Sequence, residues 1–155
     1  MKALPYRRNV AAFILNKKGE IFIALRHDLA KDKIWAFPQG GIDKNETPQE
    51  ALKRELLEEI GTSNIEILEE YPEWLSYDFP SNMIGNPLKR KYKGQTQKWF
   101  AVRFLGKDSD IDLNTHNEKE FNEWKWISSS ELAKINTGFK HDLYQKIAEY
   151  FHKYM

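Results

Sequence analysis

Cysteine is absent from the 155 residues. No disulfide framework can form, and any metal must be held by oxygen or nitrogen ligands. A long apolar run is missing too. The first one, Val10 to Leu15, breaks at Asn16-Lys17-Lys18-Gly19, far short of the roughly 20 residues that span a bilayer. Two arginines precede it, as in a signal peptide, but no small-residue cleavage site follows, so a soluble, cytoplasmic protein with no membrane partner is expected. The chain also lacks an excess of one charge: Lys plus Arg number 24 and Asp plus Glu 23, a net of +1. Domains that coat long nucleic acid by charge alone are usually strongly basic, so a basic site here has to be local. No internal repeat or low-complexity segment interrupts the chain.

What is present is a globular composition, 41% hydrophobic and 14% aromatic, in a length that suits one domain over residues 1–155. Val10 to Leu15 and Ile21 to Leu25 read as buried strands joined by a turn at 16–19. A short extended piece surrounds Trp35-Ala36-Phe37, and Pro38-Gln39-Gly40-Gly41 is expected to break regularity. The best-marked helix follows. Thr47 suits the N-cap, Pro48 the first turn and Glu50 the capping box, while Gly61 suits a left-handed end. Its apolar stripe is Leu52, Leu56 and Ile60.

Further strands are expected at Ile65 to Tyr71, Trp74 to Tyr77, Gln97 to Leu105 and Glu123 to Ile127, with a polar loop over 80–94. Helices are expected at Ser128 to Lys134 and His141 to Tyr154, the latter with Leu143, Ile147 and Phe151 at spacing four. Mixed strands with segregated helices indicate an α/β sandwich.

Helical spacing puts Glu55, Glu58 and Glu59 on one face, beside the apolar stripe. Like charges so placed repel, at roughly 0.2–0.5 kcal/mol per pair. A divalent cation offsets that cost, and carboxylates are suitable hard ligands for Mg²⁺ or Mn²⁺. Spacing alone leaves a solvated acidic face as the commoner outcome.

The surrounding positions change the balance. From Gly40 the chain runs through Glu46, Arg54-Glu55, Leu56 and Glu58-Glu59 to Gly61-Thr62. This pattern, residues 40–62, resembles the Nudix box and departs from it only at Thr62, where the family prefers a bulky aliphatic residue. The resemblance implies a Nudix-type α/β/α sandwich with a mixed sheet and metal-dependent hydrolysis of a phosphoanhydride. Glu55, Glu58 and Glu59 would be metal ligands, with the Gly40 carbonyl an addition. Arg54 would orient the carboxylates and Glu46 would brace the loop. A general base is also needed, either Glu55 or a carboxylate outside the box.

Beyond the box the chain resembles the bacterial RNA 5′-pyrophosphohydrolases, a group close to the dinucleoside polyphosphate hydrolases. The segments concerned are Tyr6-Arg7-Arg8-Asn9-Val10, Trp35 to Gly41, and Gly94-Gln95-Thr96-Gln97-Lys98-Trp99-Phe100. Arg8 and Thr96 depart from the family pattern. Glu120, ahead of Trp124, matches the segment of an additional catalytic and metal-binding carboxylate, with Glu118 and Glu123 as competitors. Phe139 and Lys140 match a stacking phenylalanine and its following lysine, and Arg26 the arginine across the base. Stacking suits an unpaired 5′ base, although an aromatic residue there also serves simply to pack a helix start.

Arg7, Tyr77, Gln95 and Lys98 are further candidates for phosphate or nucleotide contact. Strand alternation puts Gln95, Gln97 and Trp99 on one face and Lys98 on the other, so Gln95 and Lys98 are not expected to share a site. The run Lys89, Arg90, Lys91 and Lys93 is either a solvated loop or a guide for the first phosphates of an RNA end. Three functions are thus open: an enzyme acting on the 5′ end of RNA, one acting on a nucleoside polyphosphate, and a non-catalytic binding module. The intact box glutamates disfavour the last.

Overall fold

The computed structural model describes residues 4–28, 30–80, 91–116 and 118–155. At its centre, strand β1 (Tyr6–Leu15) runs parallel to β7 (Gly94–Phe104), in register from Tyr6 against Gly94 to Leu15 against Arg103. β2 (Ile21–Arg26) returns antiparallel to β1 through the turn closed by Gly19 at φ 80°. β3 (Trp35–Ala36) and β8 (Phe121–Ile127) flank β2. β5 (Ile65–Glu70) and β6 (Leu75–Asp78) pair with β7. The sheet is mixed, as expected.

β1 is buried on both faces, which explains its unbroken apolar run. Val10, Ala12 and Ile14 meet Leu52, Leu56 and Ile60 of helix α1 (Pro48–Ile60) on one side. Ala11, Phe13 and Leu15 meet Tyr144, Ile147 and Phe151 on the other, from helix α3 (His141–Tyr150) and the turn after it. The result is an α/β/α sandwich. The ends of α1 are those expected: the Thr47–Glu50 capping box closes, and Gly61 terminates the helix at φ 77°.

Several expectations need correction, among them the start of β8, which is Phe121 and not Glu123. Residues 39–41 form a strand, β4 (Gln39–Gly41), antiparallel to β1 through Asn9–Gly41, Val10–Gly40 and Ala11–Gln39. Pro38 has no N–H, but its carbonyl accepts from Ala12 and lets pairing continue past it. β7 begins three residues earlier than Gln97, carried by its pairing with β1 and β6. Helix α2 is only Ser129–Leu132, and α3 ends at Tyr150 in a 3₁₀ turn over 152–154. The most buried α3 residues are Tyr144 and Ile147, with Leu143 only partly covered. In the expected loop, residues 81–90 lie outside the described set. No helix among the described residues is long and apolar enough to cross a membrane.

Candidate active site

β4 and α1 face each other, and glycine makes their approach possible. A Cβ on Gly40 would lie 1.9–2.3 Å from the carboxyl atoms of Glu55. Only a bare backbone lets that carboxyl sit against β4. Arg54 ties the loop to the helix. Its Nε and Nη2 donate to the two oxygens of Glu46 at 2.8 and 2.9 Å, Nη2 also donates to the Gly41 carbonyl at 2.8 Å, and Nη1 reaches Glu55 at 2.8 Å. A longer contact of 3.4 Å runs to Glu58. Arg54 holds the Glu46 carboxyl down at about 2. Glu46 in turn accepts from the Asp43 N–H, so it braces the loop.

The other carboxyls are pushed the opposite way. Burial raises Glu59 well above the usual range, and the charges of Glu55 and Glu120 raise it further. The neighbouring Glu55 carboxyl raises it once more, and the Gln39 backbone N–H only partly offsets this. Burial also raises Glu55, against the pull of Arg54. Glu120 is raised by burial and then by Asp28. Glu59 Oε2 is buried without a partner. An orphaned carboxylate oxygen beside two proton-hungry carboxyls fits a hard divalent cation. Among the described residues, no three acids converge into a preformed coordination cluster. Arg54 occupies oxygens of Glu55 and Glu58 that a cation would have to compete for.

These groups open on one cavity of about 340 Å³. Its lining includes Gly40 and the carboxylates of Glu55, Glu58, Glu59 and Glu120, together with Arg7, Arg26, Tyr77, Gln95, Phe139 and Lys140. Arg26 pairs with Asp28 at 2.6 Å. Phe139 is half exposed, with its ring 5.4 Å from that of Tyr77. Lys140 is buried with Nζ 5.1 Å above the Tyr77 ring, and burial, helped by Arg26, lowers it to about 7. Burial raises Tyr77 to about 12.

Lys98 is not brought there. Strand alternation sends it to the opposite face, where it donates to the Pro72 carbonyl and lies 3.7 Å from Glu70. Of the basic run, Lys89 and Arg90 lie outside the described residues. Lys91 and Lys93 are exposed and do not line the cavity. Glu118 lines it and Glu123 does not.

Known proteins share this arrangement's sequence and fold. A NUDIX domain model matches residues 5–149. An RNA pyrophosphohydrolase of Nitratiruptor sp. is 50% identical over 99% of this chain and 97% of its own length. One from Gluconacetobacter diazotrophicus is 46% identical over 97% and 94%. In fold, the structure of the E. coli dihydroneopterin triphosphate pyrophosphohydrolase superposes with a TM-score of 0.70, at 16% identity over 97% of both chains. The chain belongs to the Nudix family.

As a Nudix enzyme it hydrolyses phosphoanhydrides and works with a divalent metal ion. The cavity contains residues that motif spacing did not point to: Asn9, Gln39, Phe79 and His116. Asn9 had a signal, since it is a polar residue at the head of an apolar strand, and such a residue needs a partner once buried. Gln39 lies in the approach to the Nudix box, and its side chain is the one that faces the site. His116 and Phe79 arrive from loops, where no periodicity marks them.

Proposed function

We propose that this Nudix enzyme removes pyrophosphate from the 5′-triphosphate end of RNA and leaves a 5′-monophosphate. One observation carries the reading: a single cavity joins the carboxylates around Gly40 to a wall of Arg26, Phe139 and Lys140. The first suits a polyphosphate, the second an unpaired base at its end. Near-full-length relatives named RNA pyrophosphohydrolase support the same substrate. The enzyme would meet that substrate in the cytoplasm.

Glu55, Glu58, Glu59 and Glu120, with the Gly40 carbonyl, would hold the cation, Mg²⁺ or alternatively Mn²⁺. When bound, it neutralises phosphate charge and makes water a better nucleophile. The chain's own residues do the rest. Arg54 positions Glu55 and Glu58. Glu55, Glu59 and Glu120 hold protons more tightly than an ordinary carboxyl, which suits one of them to accept the proton of the attacking water. Arg7, Tyr77 and Gln95 surround the phosphates. Arg26 and Phe139 face the base, and Lys140 supplies charge beneath it.

A dinucleoside polyphosphate is the second reading. Arg7 and Gly41 also border an open groove of about 460 Å³ with Tyr6, Arg8, Lys44 and Tyr92, which is room for a second nucleoside. Incubation of triphosphate-ended RNA with enzyme and Mg²⁺ should release pyrophosphate or successive phosphates. No release from RNA by a preparation that cleaves diadenosine tetraphosphate would overturn the first reading in favour of the second.

A further inference from the structure

The floor of the cavity is a chain of buried side-chain amides. Trp99 Nε1 donates to Gln97 Oε1 at 3.0 Å. Gln97 Nε2 donates to Asn9 Oδ1 at 2.9 Å and to Gln39 Oε1 at 2.7 Å. Asn9 Nδ2 donates to Gln95 Oε1 at 2.7 Å, and Gln95 Nε2 donates to the Tyr77 hydroxyl at 2.6 Å. Trp99, Asn9, Gln95 and Gln97 are all at least 96% buried, so water cannot substitute for a missing link.

The direction of this relay is not free. An amide can be turned end for end, but an indole N–H can only donate. Trp99 therefore requires the oxygen of Gln97, which turns both hydrogens of Gln97 toward Asn9 and Gln39. Each of those must present oxygen. Asn9 then presents nitrogen to Gln95, and Gln95 presents nitrogen to Tyr77. Reversing Gln97, Asn9 or Gln95 would set oxygen against oxygen or N–H against N–H at buried links, with no solvent to relieve it there.

Two groups stand at the ends. Gln39 has spent its oxygen, so its NH₂ is left; Tyr77 has spent a lone pair, so its O–H is left. Neither proton has an acceptor among the described residues, and both residues line the cavity. Their neighbours Arg7 and Arg26 are also donors.

We infer that Trp99, which does not line the cavity, sets the polarity of its floor and makes the Gln39 amide and the Tyr77 hydroxyl obligate donors to phosphate oxygens. The inference rests on the cavity taking a polyphosphate and deepens that reading. Non-bridging phosphate oxygens accept and never donate when ionised, so a floor of fixed donors favours them over water or hydroxyls, which offer both. Trp99 is a positioning residue, acting through three side chains.

A double-mutant cycle tests it. Trp99→Phe keeps an aromatic ring and removes the N–H, freeing the relay to turn. With a triphosphate-ended dinucleotide as substrate, KM should rise about tenfold with kcat within about threefold, because these donors bind substrate and transition state alike. Tyr77→Phe should act in the same sense. The double variant should be no worse than the more damaged single, although the two side chains communicate only through the relay; unconnected sites usually add. Phe37→Leu disturbs the ring packed edge-on against Trp99 without touching the relay, and its effect should multiply with that of Tyr77→Phe. A Trp99→Phe/Tyr77→Phe pair whose effects multiply would overturn the inference.

Should Trp99→Phe not fold, the wild-type protein decides. On titration with inorganic tripolyphosphate without metal, the side-chain NH₂ signals of Gln39 should shift while those of Gln97 stay. No Gln39 shift at saturation overturns the relay. A shift without RNA hydrolysis would sink the proposed function and leave the relay standing.

Discussion

Replacing Arg54 with Met removes four close donations at once: two to Glu46, one to the Gly41 carbonyl and one to Glu55. Hydrogen bonds to charged groups contribute roughly 1.5–3 kcal/mol each when fully buried. The Arg54 side chain is 29% exposed and those of Glu46 and Glu55 14%, so water recovers part of the loss. A total of roughly 2–4 kcal/mol remains after that screening. Urea unfolding should show a lower midpoint with an unchanged slope, and Tm should fall by about 5–15 °C. The effect should also depend on pH. Arg54 holds Glu46 at about 2 in the folded protein, against about 4.3 when unfolded. Between those values the unfolded chain binds the extra proton, so the stability from this pair is present above about pH 4.3 and is lost as pH falls toward 2. The gap between wild type and Arg54→Met should therefore narrow from pH 6.5 to pH 3. Equal midpoints at pH 6.5, or a gap of constant size, would refute the reasoning.

Glu59→Gln should separate stability from activity. The wild-type carboxyl has a raised folded pKa, so it costs stability as pH rises from about 4.3 through that value. In metal-free buffer at pH 7 the variant should match or exceed wild type in Tm, while kcat falls about 10²–10⁴-fold. Gly40→Ala places a methyl group inside the Glu55 carboxyl. The protein should fold with Glu55 displaced, and activity should drop at least about 100-fold in a pyrophosphate-release assay. Lys140 sits near 7 when folded and about 10.4 when unfolded, so wild-type stability rises with pH across that window. Lys140→Met should lose that rise and gain a few °C in Tm at pH 6, roughly the reward for removing a buried charge, with a higher KM for triphosphate-ended RNA.

The parts of the fold legible in the chain are those where local chemistry and burial agree. Helix α1 is one. Thr47, Pro48, Glu50 and Gly61 mark its ends and Leu52, Leu56 and Ile60 mark its buried side, all within 15 residues. β1 and β2 are another, because strands covered on both faces show as apolar runs. β4 was not legible: its three residues are Gln-Gly-Gly, and only the neighbouring edge of β1 makes them a strand. The early start of β7 is similar, since Gly94 and Gln95 owe their extended form to Tyr6, Arg7 and Tyr77 alongside.

The site divides in the same way. The Nudix box announced Glu55, Glu58, Glu59 and Arg54 because ligands on one helix are set by helical spacing. Alternation also predicted that Lys98 and Gln95 would part, and Lys98 is the one turned away. The joining of the amide floor had no sequence signal: Asn9 and the Gln95–Gln97–Trp99 face could each be picked out alone, but Asn9, Gln39 and Gln97 lie on three strands and acquire a common direction only from the Trp99 indole.

By itself, the order of residues determined the chemistry: which acids ride on one helix, where it starts and stops, and that only oxygen and nitrogen can meet a metal. Tertiary structure alone decided how those acids feel one another. Proton affinity and hydrogen-bond direction depend on distance and on exclusion of water, and both arise when Glu59, Glu120 and Trp99, far apart along the chain, are buried around one cavity.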